Sequence, residues 1–284
     1  METMGFLGPP GTHSEAAALY LRDAEKLALD LKPYPDIYSV MQAVIDDELD
    51  HCFVPVENSL EGSINITLDM LAHGDELAIE RELIWGVHNH LMAKCRLAEI
   101  KTIYSHAQPL AQCREYLKAN FPDVQLIAAS STARAAERAA ACDPQEGCAA
   151  ICTERGGELN GLKLLVRDIQ DNDTNCTRFY QICRKQKITP VKQTSGKTLL
   201  ICQIDGKRAG SLCEMLQEFA VRKVNMTRIE SRPARTGLGE YIFFFDLETD
   251  CPRDDLAAAI EAVRQRSVWH RHCGEFPVIY ANNL

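Results

Sequence analysis

The sequence predicts an α/β protein with a larger two-lobed part and a smaller βαββαβ part. Three observations carry this: strands and helices alternate through the first 185 residues, a polar basic stretch then interrupts the chain, and a different element order follows it. METMGFLG supplies the first strand and GTHSEAAALYLRDAEKL the first helix, with Thr12 and Glu15 spaced as a capping box. LALDLKPY, DIYSVMQAVIDDEL and CFVPV continue as strand, helix and strand. KTIYSH, AQPLAQCREYLKANF, VQLIAAS and STARAAERAAAC repeat the alternation, which favours mainly parallel sheets. RKQKITPVKQTSGK is nearly free of large apolar residues and reads as a linker over 186–197. Beyond it come TLLICQI (strand), GSLCEMLQEFAVRKV (helix), NMTRIESR and EYIFFFDLE (strands), DDLAAAIEAVRQRS (helix) and FPVIYA (strand). That order within 198–284 is the ferredoxin-like arrangement.

A chain of 284 residues is long enough for two domains, and its 46% hydrophobic and 25% charged content is that of a globular enzyme. The net charge of -9 disfavours nucleic acid and anionic membranes as partners. No window approaches a membrane span, no signal segment precedes the first strand, and the cytoplasm is the expected location. The twelve cysteines include no CxxC pair and are expected as reduced thiols.

Several familiar patterns fail on inspection. TSGKT at 194–198 imitates the end of a phosphate-binding loop, but Val191 stands where a glycine is required. Gly5, Gly8 and Gly11 follow GxxGxxG rather than the dinucleotide fingerprint, so no nicotinamide cofactor is expected. Neither His88 with His90, nor His270, His272 and Cys273 at the end of the last helix, has a further ligand placed nearby, and no metal site is expected. Ser105 beside His106 lacks the GxSxG context of a nucleophile elbow.

What remains is a set of strand-to-helix junctions rich in hydroxyls and amides, where open sheets bind ligands. GPPGTHSE leaves N–H groups free at a helix start. VPVENSLEGS offers Glu57, Asn58 and Ser59, YSHAQPLAQC offers Ser105, Gln108 and Gln112, and ASSTARAAE offers Ser130, Ser131 and Thr132. In DNDTNCTRFY, read as a strand, Asn175, Thr177 and Phe179 share one face while Cys176 and Arg178 share the other. Together these read as the lining of one cleft between two α/β lobes. In a chain of net negative charge, an anionic ligand there needs helix N-termini or arginines.

GPPGTHSE, PVENSLEGSI, YSHAQPLAQC, SSTARAA and NCTRF, in that order, resemble the catalytic signatures of the prephenate dehydratases. GSL at 210–212 and ESRP at 230–233 resemble the regulatory signatures of that family's C-terminal ACT domain. The resemblance runs from Gly5 to the last strand. His13 departs from it, standing where Phe or Tyr is common, and bears on the shape or pH response of the first loop; Ala107 stands where proline is usual. The resemblance implies a periplasmic-binding-protein-like catalytic domain over 1–185, with lobes near 1–78 plus 160–185 and near 79–159, then the linker and an ACT domain over 198–284. It implies conversion of prephenate to phenylpyruvate with loss of water and CO2, without a cofactor. Thr177 would be the general acid, with Asn58, Ser105 and Gln112 holding it in place. Ser59, Ser130, Ser131, Thr132, Asn175 and Phe179 would bind substrate. Arg178 clamps a carboxylate only if a twist or bulge turns it inward; on a straight strand it faces away.

The same resemblance implies feedback inhibition by L-phenylalanine at Gly210, Ser211, Leu212, Glu230, Ser231, Arg232 and Pro233, in a homodimer or homotetramer. Glu230 and Arg232 share a strand face, so they either meet the ligand or pair with each other. Because the chain begins at its first strand, the fused chorismate mutase domain of some relatives is not expected. Two other readings stay open. One is arogenate dehydratase, and the other is a non-catalytic amino-acid sensor, which would have no use for a proton donor at Thr177.

Overall fold

The computed structural model describes residues 1–188, 196–235, 237 and 239–282. Residues 189–195 of the expected linker, and with them the start of TSGKT, lie outside the described residues. The chain opens with β1 (Glu2–Leu7), α1 (His13–Ala24), β2 (Leu29–Tyr34), α2 (Ile37–Ile45), β3 (His51–Asn58), β4 (Gly62–Ser63), α3 (Asn65–His73) and β5 (Leu77–Gly86). It continues with β6 (His90–Ala93), β7 (Thr102–His106), α4 (Ala107–Gln112), α5 (Arg114–Asn120), β8 (Gln125–Ala129), α6 (Thr132–Ala141), β9 (Cys148–Cys152), α7 (Glu154–Leu159), β10 (Lys163–Val166) and β11 (Cys176–Arg184). The last elements are β12 (Lys197–Gln203), α8 (Ser211–Val221), β13 (Met226–Pro233), β14 (Tyr241–Glu248), α9 (Arg253–Arg266), β15 (Trp269–Phe276) and β16 (Val278–Tyr280).

Contacts divide the chain into two compact units, one of Met1–Thr67, Leu83–Phe179 and the residues from Tyr280 on, the other of Leu68–Glu82 and Tyr180–Ile279. A sheet of order β16-β5-β11-β3-β1-β2, with β4 on β3, carries strands β5 and β11, whose residues are shared between the units. The first unit also holds a complete sheet of order β10-β6-β9-β7-β8. β7 runs parallel to β8 and β9, whereas β6 runs antiparallel to β9 and β10, so this sheet is mixed. Its two faces are read off alternation along β9. Ala149 and Ile151 pack with Ile103 and Leu117 on one side, while Cys148, Ala150 and Cys152 pack with Ala135, Ala136 and Leu162 on the other. Helices therefore cover both faces, which is why its strands read as continuous apolar runs. The predicted helix AQPLAQCREYLKANF is two helices, broken at Cys113, because Asp171 accepts from Glu115 N and Tyr116 N (2.9 and 3.2 Å) and starts α5 anew.

The second unit carries an antiparallel sheet of order β13-β14-β12-β15, with α8 and α9 on one face. Leu200, Cys202, Phe245 and Leu247 meet Met215, Phe219, Leu256 and Val263 there in one apolar core. This is the expected βαββαβ order, but its closing strand is β15, in the stretch read as the end of a helix, and not FPVIYA. His270, His272 and Cys273 consequently lie on a strand. The error has a physical source. WHRHCGEF buries Arg271 and Cys273 on alternate positions, and the polar Arg271, 3% exposed, is held by donating to the Leu77 carbonyl at 2.8 Å, so no apolar alternation marks the strand. FPVIYA instead supplies β16 at the edge of the first sheet.

The expectation that every cysteine is a thiol is also corrected: Cys142 and Cys148 are joined in a disulfide, their Cα atoms 6.3 Å apart. The other ten are free, and most are buried.

Candidate active site

A cavity of about 550 Å³ opens within the first unit. Its walls come from the strand-to-helix junctions. Gly8 and Thr12 are contributed by the β1–α1 loop, His13 by the first turn of α1, Asn58 by the end of β3, Gln112 by α4, Ser130, Ser131 and Thr132 by the start of α6, and Thr177 and Phe179 by β11. Each loop is tied down locally. Glu15 accepts from Gly11 N at 2.7 Å, and not from Thr12 as a reciprocal capping box would have it, and it also takes Arg155 Nε at 3.0 Å. Gly11 itself has φ +87°, and a Cβ there would stand 2.9 Å from the Gly156 Cα, so two backbones close on one another at the cavity rim.

The best-defined feature is the hydrogen-bond polarity around Thr177. Asn58, 6% exposed, accepts through Oδ1 from Leu60 N (3.0 Å) and Glu61 N (3.1 Å). Backbone N–H groups can only donate, so the orientation of this amide is fixed and Nδ2 must face the other way. Nδ2 donates to Thr177 Oγ1 at 3.0 Å and to Asn175 Oδ1 at 2.9 Å. Thr177 therefore uses a lone pair toward Asn58 and keeps its O–H proton for the cavity. Phe179, 2% exposed, stacks on Phe53 with ring centroids 4.9 Å apart and planes 7° apart, giving a rigid aromatic wall.

Four residues expected at the cleft stand elsewhere. Ser105 is fully buried and donates to the Ile151 carbonyl at 2.7 Å, so its hydroxyl ties β7 to β9. Arg178, in β11, does not line the cavity and pairs with Glu57 at 2.7 Å. Ser59 Oγ accepts from Cys176 N at 3.0 Å and Asn175 supports Asn58; both brace the site and neither lines the cavity. The cavity also takes residues the sequence reading passed over, among them His106, which caps α4, and Arg134 in the first turn of α6. Thr12 is the N-cap of α1 and Ser131 the N-cap of α6 (accepting from Arg134 N at 3.1 Å), so two helix starts, which favour an anion, meet the cavity beside Arg134, whose guanidinium pairs with Glu137. Among the described residues, the cluster of three close metal-type donors is Cys142, Glu146 and Cys148, none of which lines the cavity. Burial pushes the Cys113 thiol, next to Gln112, up to about 12, which removes it as a nucleophile.

His13 adds a titratable wall. Burial lowers its imidazole from 6.5 to about 4, with the Asn89 side chain pulling the other way and the His90 and His88 rings adding to the depression. The unfolded chain takes up this proton first, so the stability linked to neutral His13 is complete above about pH 6.5 and is lost as pH falls toward 4. Between pH 7 and 4.5 the wild type should lose on the order of 2 kcal/mol more unfolding free energy than His13→Phe, measured by denaturant titration. Equal losses in the two proteins would show that His13 is protonated without penalty in the fold.

In the second unit, Gly210 precedes α8 with φ +83° and no side-chain cap, and the first helix N–H, that of Ser211, donates to the Arg208 carbonyl at 3.4 Å. A Cβ there would meet nothing within 4 Å, so glycine is required for its backbone angle and not for space. Ser211 Oγ donates to the Asp205 and Arg208 carbonyls (3.0 and 2.7 Å), and Leu212 packs on the core. ESRP divides between faces. Ser231 stands opposite Phe243 on the helix-bearing side, and Glu230 stands opposite Phe244 on the other. Glu230 lies 3.4 Å from Arg228, and Arg232 grips Asp69 through two bonds of 2.6 and 3.0 Å, while Ser231 and Pro233 are exposed.

Known proteins resemble this chain along most of its length. A family profile described as Prephenate dehydratase matches residues 4–187. The prephenate dehydratase of Lactococcus lactis subsp. cremoris is 32% identical over 276 residues, covering 97% of each chain. The solved prephenate dehydratase of Arthrobacter aurescens in complex with L-Phe superposes with a TM-score of 0.85 at 33% identity, over 97% of this chain and 90% of its own. GqqA, described as a novel type of quorum quenching acylases, superposes with a TM-score of 0.84 at 27% identity over 97% of this chain and 98% of its own, so the fold by itself does not set the reaction. Family membership rests instead on the profile and on identity held from end to end, and by both this chain belongs to the prephenate dehydratase family.

Proposed function

We propose that the cavity binds prephenate and expels water and CO2 to form phenylpyruvate, with Thr177 Oγ1 as proton donor. The observation that carries this reading is the Asn58–Thr177 polarity, which leaves the hydroxyl proton free on the cavity side. The ring hydroxyl leaves poorly as hydroxide. As its C–O bond breaks it takes the Thr177 proton, while the electron pair of the bond to the ring carboxylate moves into the ring and CO2 departs. One proton is taken up overall and Thr177 recovers it from solvent. Asn58 Nδ2 stabilises the threonine oxygen while it bears charge. The two substrate carboxylates suit the N-termini of α1 and α6 with Arg134, and Phe179 supports the ring as it becomes flat. No step in this scheme requires a metal or an organic cofactor.

The reading extends to control. Residues 1–185 would form the catalytic domain and 198–284 an ACT-type domain that binds L-phenylalanine, supported by the L-Phe complex of the Arthrobacter relative and by the left-handed glycine, without a side-chain cap, at the start of α8. Edge strand β13, with Ile229 45% exposed, suits pairing with a second copy in a homo-oligomer, and the cytoplasm is the location proposed. The test is to incubate the purified chain with prephenate, and separately with arogenate, following the aromatic products. Phenylpyruvate, read by its absorbance in base, should form without added metal and be suppressed by L-phenylalanine. Gly210→Val should turn over normally yet lose that suppression. Absence of phenylpyruvate would end the catalytic reading, and undiminished suppression of Gly210→Val would end the regulatory one.

A further inference from the structure

Asn89 lies between β5 and β6, is fully buried, and carries an amide that the chemistry above leaves unused. Its Nδ2 donates to Gln112 Oε1 at 3.4 Å. Its backbone is clamped on both sides, Asn89 N donating to Gln170 Oε1 at 3.0 Å and its carbonyl accepting from Ile169 N at 2.9 Å. The same segment holds Gln112, whose carbonyl accepts from Asp171 N at 2.7 Å. With both backbones fixed, the freedom left is which end of the Gln112 amide meets the cavity. Asn89 occupies Oε1, so Nε2 remains, buried and without a hydrogen-bond partner among the described residues. A buried donor in that state is costly until an acceptor arrives.

We infer that Asn89 is a positioning residue that fixes the Gln112 amide with its NH2 toward the ligand, so that the cleft selects an oxygen acceptor, carboxylate or hydroxyl, at that point. The inference rests on the dehydratase reading of the cleft. Asn89→Asp reverses the polarity, because an ionised carboxylate only accepts; Gln112 must then donate to it and turn a carbonyl toward the substrate. At pH 8 the expected result is a KM for prephenate raised about tenfold or more, the size of a lost hydrogen bond to a charged group, with kcat within about threefold of wild type. A carboxyl buried at this position titrates high, and once protonated it donates as the amide did, so the KM of Asn89→Asp should recover as pH falls toward 5.5. The titratable groups around the site are His13, His88 and His90, with Asp168, Asp171 and Asp173 on the clamping segment; wild type over the same range controls for all but His13, on which the Asn89 side chain acts directly, so the comparison is repeated in a His13→Phe background. Asn89→Leu has no donor at any pH, and its KM should stay raised throughout. A wild-type KM in Asn89→Leu, or an Asn89→Asp profile parallel to that of wild type, would overturn the inference. Wild-type protein that does not turn over prephenate removes the underlying reading as well, whereas wild-type turnover with unchanged KM in both variants removes the inference alone.

Discussion

Thr177→Ala should lower kcat about a thousandfold while leaving KM within about threefold. General acid catalysis by a positioned group contributes roughly 10²–10⁴-fold, and a proton given only as the C–O bond breaks belongs to the transition state and not to ground-state binding. The walls that hold the substrate, Phe179 against Phe53 and the starts of α1 and α6, do not depend on the Thr177 hydroxyl. Thr177→Ser keeps an oxygen within reach of Asn58 Nδ2 and should retain a tenth or more of the activity, limited by the looser rotamer of serine. Steady-state kinetics on both variants decide the matter. If the alanine enzyme turns over at more than a tenth of the wild-type rate, the proton comes from elsewhere.

The second large effect is expected at Asn58. Asn58→Asp keeps an oxygen for Leu60 N and Glu61 N, so the turn after β3 is preserved. Its other oxygen then faces Thr177 Oγ1, Asn175 Oδ1 and the Cys176 carbonyl, all of which accepted from the amide. Thr177 must turn its O–H back toward the carboxylate, away from the substrate, and a negative charge enters a cavity built for an anion. A fall in kcat/KM of about 10⁴-fold is expected, from misdirection of the proton together with repulsion. Asn58→Ala removes the donor without reversing it or adding charge, and should cost only about a hundredfold. The ranking is the diagnostic, measured on proteins whose thermal unfolding remains cooperative. An aspartate variant at least as active as the alanine variant would contradict the polarity assigned to this pair.

Much of this site could be read before any coordinates. Period-two alternation placed Thr177 and Phe179 together and left Arg178 open between facing away and turning inward through a twist or bulge; it pairs with Glu57 and does not line the cavity. The junction rule found Asn58, Gln112 and the start of α6 because a helix N-terminus following a strand leaves open N–H groups wherever it occurs. It failed for Ser105 because the same rule does not say where the strand stops; Ser105 is still inside β7, and its hydroxyl points across the sheet. Arg134 resembled any solvent-facing helix charge, its side chain being 60% exposed, and only the placement of α6 makes it a wall of the cavity. Asn89 sits between two histidines in a segment without periodicity, and its importance lies in contacts with residues 112 and 170, which no local pattern encodes.

The position of β16 has a consequence for how this protein is made. Ala281 N donates to the Ile84 carbonyl at 3.0 Å, and Asn282 N to the Tyr20 hydroxyl at 3.1 Å, so the first unit is completed by residues roughly two hundred positions after the strand they cover. A chain cut near Lys185 would leave β5 as an open edge, prone to pairing with other chains, and its loss of activity would say little about regulation. During synthesis the ribosome must pass Asn282 before that edge can close, and at about 5–20 residues per second the nascent first unit waits on the order of ten seconds or more with it exposed. Pulse-labelled nascent chains should therefore remain protease-sensitive near β5 until β16 has emerged, and chaperone demand should concentrate in that interval.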